Sequence, residues 1–223
     1  MPGATTGSAP GSTLGGRPES SGPRRIGLFG GTFDPPHLAH LALARVARDT
    51  LGLDELRWLP AGQPWQKAGR QLALGAHRVA MVRALIGAET GFVVDARELE
   101  RAGPSYTVDS VREVAREAEG AELFLVIGQD QYARFDTWRE WPALLEAVTL
   151  AVAGREGAAP EPPGALAHRP HRVRALPLPP MPVSSTAVRE ALARGRDISA
   201  LAGPEVARYI AGHHLYEQDA AAH

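Results

Sequence analysis

Short apolar runs alternate with amphipathic stretches along most of this chain. A strand that is buried on both faces reads as a continuous apolar run, and each such run ends here at Gly, Pro or polar residues. The strands predicted in this way are Ile26–Gly30, Glu55–Leu59, Phe92–Asp95, Leu123–Ile127, Thr149–Ala153 and Val173–Leu178. Because helical patterns separate them, we predict an α/β fold, a doubly wound and mainly parallel sheet with helices on both faces.

The amphipathic stretches carry apolar residues at helical spacing. The stretch from Thr107 to Glu119 is the clearest, because its valines and alanines form one apolar stripe. The predicted helices are Leu38–Leu51, Leu74–Ile86, Thr107–Glu119, Trp141–Val148, Ser185–Arg194 and Pro204–Ala211. Residues Gly154–His171 are rich in Pro, Gly and Ala, and we expect them to form an irregular insertion.

Composition narrows the class of protein. The chain has 223 residues, and we expect a disordered leader over residues 1–24 and a single domain over residues 25–223. Lys and Arg number 24 against 25 Asp and Glu, so nothing in the charge balance points to a nucleic-acid or membrane surface. The absence of cysteine excludes disulfides and thiolate metal sites. We expect a cytoplasmic protein, and a homo-oligomer is compatible with the sequence.

The segment IGLFGGTFDPPHLAH joins the first predicted strand to the first predicted helix. Its two glycines allow a sharp turn, and Pro36 fits the first position of the helix. His37 and His40 would then share one helical face, beside the unpaired N–H groups of the helix N-terminus. Such a place suits phosphate. The histidine pair could equally be ordinary surface or half of a metal site, although no spacing nearby completes a zinc site.

The segment SSTAVRE opens a later helix with three hydroxyl side chains, and Arg189 follows within one turn. A Ser or Thr at this position commonly caps a helix, and capping alone would explain it. Three hydroxyls with an arginine also make a second anion cradle.

Together these motifs resemble a known superfamily. GGTFDPPHLAH resembles the (T/H)xGH-type signature of the nucleotidylyltransferases, with Ala39 at the place of its glycine, and SSTAVRE resembles their late SSTxxR motif. The segments GPSYTVDS, IGQD, FDTW and PAGQPWQK narrow the resemblance to bacterial nicotinate-nucleotide adenylyltransferases. It extends from about Arg25 to Tyr216.

The resemblance implies adenylyl transfer from ATP to nicotinate mononucleotide, with release of pyrophosphate. It implies that His40, His37 and Arg189 act in catalysis by stabilising charge on the phosphates. The ATP contacts that it implies are Gly30, Gly31, Thr32, Phe33, His37, His40, Gly128, Asp130, Ser184, Ser185, Thr186 and Arg189. Mg²⁺ is expected to arrive with ATP and to bind the phosphates, so no protein ligand for a metal is assigned.

The resemblance also implies a site for the pyridine mononucleotide. Its expected contacts are Thr32, Lys67, Ser105, Tyr106, Thr107 and Trp138. A helix start near residue 105 could receive the nicotinate carboxylate, and Trp138 could stack on the pyridine ring. The competing interpretations are an N-cap at Ser105 or Thr107, packing for Trp138 and a solvated loop charge for Lys67.

Two further functions fit the sequence less well. The acceptor could be nicotinamide mononucleotide or phosphopantetheine, although the GPSYT segment with Trp138 favours a pyridine carboxylate. A non-catalytic nucleotide-binding module would not need His37, His40 and Arg189 together. Asp130 could either orient ribose hydroxyls or cap the following turn.

Overall fold

Six parallel strands form the centre of the fold in the computed structural model, which describes residues 22–62, 72–154 and 159–217. The strands are β1 (Arg25–Gly31), β2 (Glu55–Pro60), β3 (Phe92–Val94), β4 (Glu122–Gly128), β5 (Thr149–Ala153) and β6 (Val173–Leu176). Their order in the sheet is β3-β2-β1-β4-β5-β6, and every adjacent pair runs parallel. The predicted doubly wound parallel sheet is therefore confirmed.

Helices connect the strands and cover the sheet. They are α1 (Leu38–Leu51), α2 (Gly75–Ile86), α3 (Arg97–Glu100), α4 (Thr107–Glu117), α5 (Gln129–Tyr132), α6 (Trp141–Ala147), α7 (Gly164–Ala167), α8 (Ser185–Ala193), α9 (Ser199–Ala202) and α10 (Pro204–Gly212). A 3-10 turn spans Phe135–Thr137. All six predicted helices are present, with ends that differ by at most two residues from the predicted ones.

The direction of winding reverses beside β1. The chain builds outward from β1 through β2 to β3, and then returns to place β4 on the other side of β1. This is a topological switch point, and ligands of open parallel sheets bind outside the carboxyl ends of the strands there. The loop after β1, which carries Thr32 and Phe33, therefore lies where a ligand is expected.

The core lies on both faces of the sheet because strand residues alternate between the faces. From β1, Ile26 and Leu28 pack on one face and Phe29 packs on the other. Gly27 shares the face of Phe29, where an added Cβ would lie 2.4 Å from Cδ1 of Leu56. Strand β1 is therefore closely packed on both faces of the sheet.

Part of the predicted irregular insertion Gly154–His171 forms a helical turn. It contains the single helical turn α7, whose Leu166 is fully buried against the core. The expectation of an irregular insertion was wrong there, because one buried leucine is enough to anchor a short turn among prolines. Most of the predicted leader and Lys67 lie outside the described residues. Within the described ranges, no helix is long and apolar enough to cross a bilayer.

Candidate active site

Helix α1 begins at Leu38, two residues after Pro36. Residue His37 is its N-cap, with extended backbone angles of φ −150° and ψ 171°, so Pro36 precedes the helix. The prediction that Pro36 is the first helical residue was wrong. His40 is the third residue of the helix, and its ring still stacks on that of His37 with 3.7 Å between ring centroids. The two imidazoles are therefore together at the helix N-terminus.

His40 closes the N-terminus of α1 through its side chain. The backbone N–H of His37 donates to Nδ1 of His40 at 3.2 Å. This is the place where a Glu or Gln closes a capping box. A nitrogen that accepts a hydrogen bond carries no proton, so the neutral ring of His40 has its proton on Nε2. The ring can therefore donate a hydrogen bond from Nε2.

His37 is buried and uncharged. Its side chain is 7% exposed, and burial lowers its pKa to about 4. Its Nδ1 has no hydrogen-bond partner among the described residues. An unpaired buried nitrogen costs about 1–3 kcal/mol, which a ligand that bonds to it would recover. At neutral pH, His37 can therefore serve as a hydrogen-bonding group but not as a cation.

The glycine pair after β1 has two different roles. At Gly31, an added Cβ would lie 2.9 Å from the ring of Phe33, so packing requires a glycine there. Phe33 itself is buried with a φ of +49°, a conformation that costs a bulky residue energy. At Gly30, an added Cβ would meet nothing within 4 Å. Space beside an exposed glycine backbone suits the close approach of a ligand.

The N-terminus of α8 is bonded to the loop that precedes α1. Arg189 donates to the backbone oxygen of Asp34 at 2.7 Å, and Ser185 Oγ donates to the backbone oxygen of Pro35 at 2.9 Å. Arg189 also donates to Oγ1 of Thr186 at 3.1 Å. Ser184 is the N-cap, and its Oγ accepts the N–H of Ala187 at 3.1 Å. The two predicted phosphate motifs are therefore neighbours, although about 150 residues separate them in sequence.

The other predicted residues line a separate cavity of about 260 Å³. It lies on the α4 side of the loop after β1, against the cluster that contains Leu125 and Ile127. Its predicted lining residues are Gly30, Gly31, Thr32, Ser105, Tyr106, Thr107 and Trp138. The indole of Trp138 stacks on the fully buried Phe135, with 5.1 Å between ring centroids. The structure thus brings the predicted pyridine contacts together.

The start of α4 differs from the capping interpretations. Tyr106 is the N-cap, its side chain makes no capping bond, and the N–H of Asp109 donates to the backbone oxygen of Tyr106 at 3.0 Å. Ser105 instead accepts a hydrogen bond from Arg101, which also pairs with Glu113 at 2.8 Å. Neither Ser105 nor Thr107 caps this helix, so among the described residues no side chain caps the N–H groups of Thr107 and Val108.

The cavity includes three polar residues that the sequence interpretation missed, namely Glu98, Gln131 and Arg139. The Oε1 atom of Glu98 accepts from Ser110 Oγ at 2.9 Å, and burial raises the pKa of this carboxyl. Glu98 lies on α3, a single turn with too few residues for a periodic pattern. Arg139 directly follows Trp138, and that proximity was the available signal.

Arg78 is a further residue that the sequence interpretation missed. It is 3% exposed, and its guanidinium donates to the backbone oxygens of Thr32 at 2.8 Å and Ala73 at 3.1 Å. Asp34, also buried, accepts the N–H of Ala73 at 3.1 Å and the hydroxyl of Tyr216 at 2.8 Å. These bonds tie the loop after β1 to α2 and to the chain beyond α10. The same helix carries His77 and Arg83, so no sequence pattern distinguished Arg78.

Two predicted ATP contacts lie elsewhere at the end of β4. Gly128 is the N-cap of α5, and its N–H donates to Oε1 of Gln131 at 2.9 Å. Asp130 is exposed in the first turn of α5, and both its proposed ribose contact and its capping alternative stay predictions. Neither residue lines the cavity, whereas Gln131 does. Lys67 lies outside the described residues, and its predicted contact stays a prediction.

Comparison with known proteins places this arrangement in context. The cytidylyltransferase-like family matches residues 28–191. The chain resembles the solved nicotinic acid mononucleotide adenylyltransferase of Plasmodium falciparum in complex with NaAD, with a TM-score of 0.71 and 18% identity. That match covers 87% of this chain and 98% of the other. At this identity, it shows a shared fold.

Two relatives with higher sequence identity match a similar share of this chain. The chain is 56% identical to a probable nicotinate-nucleotide adenylyltransferase of Methylibium petroleiphilum, over 86% of this chain and 92% of the relative. It is 46% identical to a protein of the same name from Bordetella petrii, over 86% of this chain and 99% of the relative. The chain belongs to the nicotinate-nucleotide adenylyltransferase family.

Proposed function

We propose that this protein transfers the adenylyl group of ATP to nicotinate mononucleotide, forming nicotinate adenine dinucleotide and pyrophosphate. The observation that carries the proposal is the arrangement of two half-sites around the loop after β1. One half-site presents His37, His40 and the start of α8, which suit phosphates. The other is the cavity beside Tyr106 and Trp138, which suits an aromatic ring.

The reaction needs alignment more than proton transfer. A phosphate oxygen of the mononucleotide attacks the α-phosphorus of ATP, and the bond from that phosphorus to the bridging oxygen breaks. Pyrophosphate leaves with the electron pair. Because the attacking phosphate is already an anion at neutral pH, catalysis consists of positioning and charge stabilisation. The hydrogen-bond donors on α1 and α8 supply both.

The proposed role of each residue follows from its contacts. His40 would donate from Nε2 to the α-phosphate, where charge develops. Ser185, Thr186 and Arg189 would hold the β- and γ-phosphates, because they adjoin the loop that carries Asp34. The cavity would hold the nicotinate ring, stacked on Trp138, with its carboxylate near the uncapped N–H groups of α4.

Mg²⁺ is proposed to accompany ATP. Among residues 22–62, 72–154 and 159–217, no group of three or more His, Asp or Glu side chains could hold a metal ion. The hydrogen-bond donors of the phosphate half-site suit phosphate oxygens, which can themselves carry the ion. When bound, Mg²⁺ would neutralise charge on the leaving pyrophosphate.

The test measures pyrophosphate release from ATP by the full-length protein. Nicotinate mononucleotide, nicotinamide mononucleotide and phosphopantetheine would be compared as acceptors, and mass spectrometry would identify the product. We expect the highest kcat/KM with nicotinate mononucleotide. A higher value with either other acceptor would replace the proposed substrate. Binding of ATP without pyrophosphate release from any acceptor would indicate a non-catalytic module instead.

A further inference from the structure

The cavity beside Trp138 carries one positive side chain. Among the described residues that line it, Arg139 is the only basic one. Its guanidinium carbon lies 4.5 Å from the ring centroid of Tyr106, a distance typical of a cation–π contact. Because Tyr106 is the N-cap of α4, this contact holds the cation beside the uncapped N–H groups of the helix.

The hydrogen-bond donors of Arg139 are not consumed by its neighbour Glu140. Nε of Arg139 is 3.8 Å from Oε1 of Glu140, which is longer than a hydrogen bond. Oε2 of Glu140 instead pairs with Arg112 at 2.5 Å, and that bond lowers the pKa of Glu140. Since 57% of the Arg139 side chain is exposed, its guanidinium can move toward a ligand in the cavity.

The other charged groups near the cavity already have partners. Arg101 is bonded to Ser105 and Glu113. Glu98 accepts from Ser110, and burial raises the pKa of its carboxyl. Arg139 is therefore the cation placed to meet a substrate that carries a carboxylate on its ring.

We propose that Arg139 determines the specificity of the cavity for a pyridine that bears a carboxylate rather than a carboxamide. This inference rests on the proposed function, because it concerns the acceptor of that reaction. A guanidinium forms charge-assisted hydrogen bonds with a carboxylate, and these are about twice as strong as those to a neutral amide. The side chain would act in recognition, and the phosphates would react without it.

The test compares Arg139→Gln with Arg139→Lys. For Arg139→Gln, we expect the KM for nicotinate mononucleotide to rise about tenfold, whereas the KM values for nicotinamide mononucleotide and ATP stay within about twofold. Arg139→Lys keeps the charge and should recover most of the affinity. Arg116→Gln, on the exposed surface of α4, removes the same charge away from the cavity and should leave all three KM values unchanged.

Ionic strength gives a second readout. For the unchanged protein, salt should raise the KM for nicotinate mononucleotide more than that for nicotinamide mononucleotide, and Arg139→Gln should reduce this difference. Equal changes in both KM values, or a KM for nicotinate mononucleotide within twofold of the unchanged protein, would overturn the inference. If the unchanged protein releases no pyrophosphate with either mononucleotide, the proposed function itself fails. The two failures are therefore distinguishable.

Discussion

Replacement of His40 by Ala separates two contributions of one side chain. Nδ1 of His40 accepts the N–H of His37 at 3.2 Å, and the opposite nitrogen carries the proton proposed to reach the α-phosphate. Loss of a capping bond costs about 1 kcal/mol of folding free energy, which lowers Tm by about 2–4 °C in a chain of this size. Loss of one preorganised donor costs about 3 kcal/mol in the transition state, roughly a hundredfold in kcat.

His40→Asn is the matched variant. Its Oδ1 can take the place of Nδ1 and accept the same N–H, whereas its Nδ2 lies near the place of Cδ2 and its protons do not reach the position of the Nε2 proton. We therefore expect Tm to return to that of the unchanged protein while kcat stays about a hundredfold lower. Turnover would be measured as pyrophosphate release at saturating ATP and nicotinate mononucleotide, and Tm by calorimetry.

The outcome that refutes this reasoning is specific. A His40→Ala protein that is folded and keeps kcat within tenfold of the unchanged protein would remove His40 from the transition state. A His40→Asn protein that recovers both Tm and kcat would show that His40 acts only through the cap.

Three other residues give further predictions. Burial lowers the pKa of His37 to about 4, below the usual value of about 6.5. Because the folded protein favours the neutral ring, the free energy of unfolding should have its full value above pH 6.5. It should fall by up to about 3 kcal/mol as the pH decreases toward 4, and denaturant titrations of His37→Gln should lack this loss. Trp138→Ala should raise the KM for nicotinate mononucleotide about tenfold and more than that for ATP; equal rises would count against stacking. Arg189→Met should raise the KM for ATP and lower Tm, because Arg189 also bonds Asp34 at 2.7 Å, whereas an unchanged KM would limit it to a structural role.

The centre of the sheet could be predicted from sequence because β4 and β5 are short, largely apolar and buried on both faces. From β4, Phe124 and Val126 pack on one face, while Leu125 and Ile127 pack on the other. No polar residue interrupts such a run, and the glycines and prolines around it mark its ends. The single turn α7 escaped prediction because four residues are too few for a helical period.

The start of α1 could not be predicted from local preferences. A proline commonly occupies the first helical position, and a histidine is an uncommon N-cap. In the structure, the preceding loop is held from a distance by Arg189, Ser185 and Arg78, which bond the backbone oxygens of residues 34, 35 and 32. These contacts cross up to 155 residues of sequence, and no local pattern encodes them.

Some residues of the candidate site could be predicted from sequence and others could not. Its motifs were visible because they are contiguous and carry phosphate-binding side chains. Arg139 and Glu98 were not visible as a pair, because only the fold brings both of them to one cavity. Sequence therefore indicates the chemistry more readily than the specificity of this site.

The two half-sites lead to separable kinetic effects. His40 and Arg189 belong to the proposed phosphate half-site, and a phosphate is common to all three candidate acceptors. Trp138 and Arg139 line the cavity, which only the ring of the acceptor would enter. A change in the first pair should therefore reduce turnover with all acceptors alike, whereas a change in the second should alter their ranking. Because the loop after β1 borders both half-sites and Arg78 holds its Thr32 oxygen at 2.8 Å, a change at Arg78 should affect both kinds of measurement together.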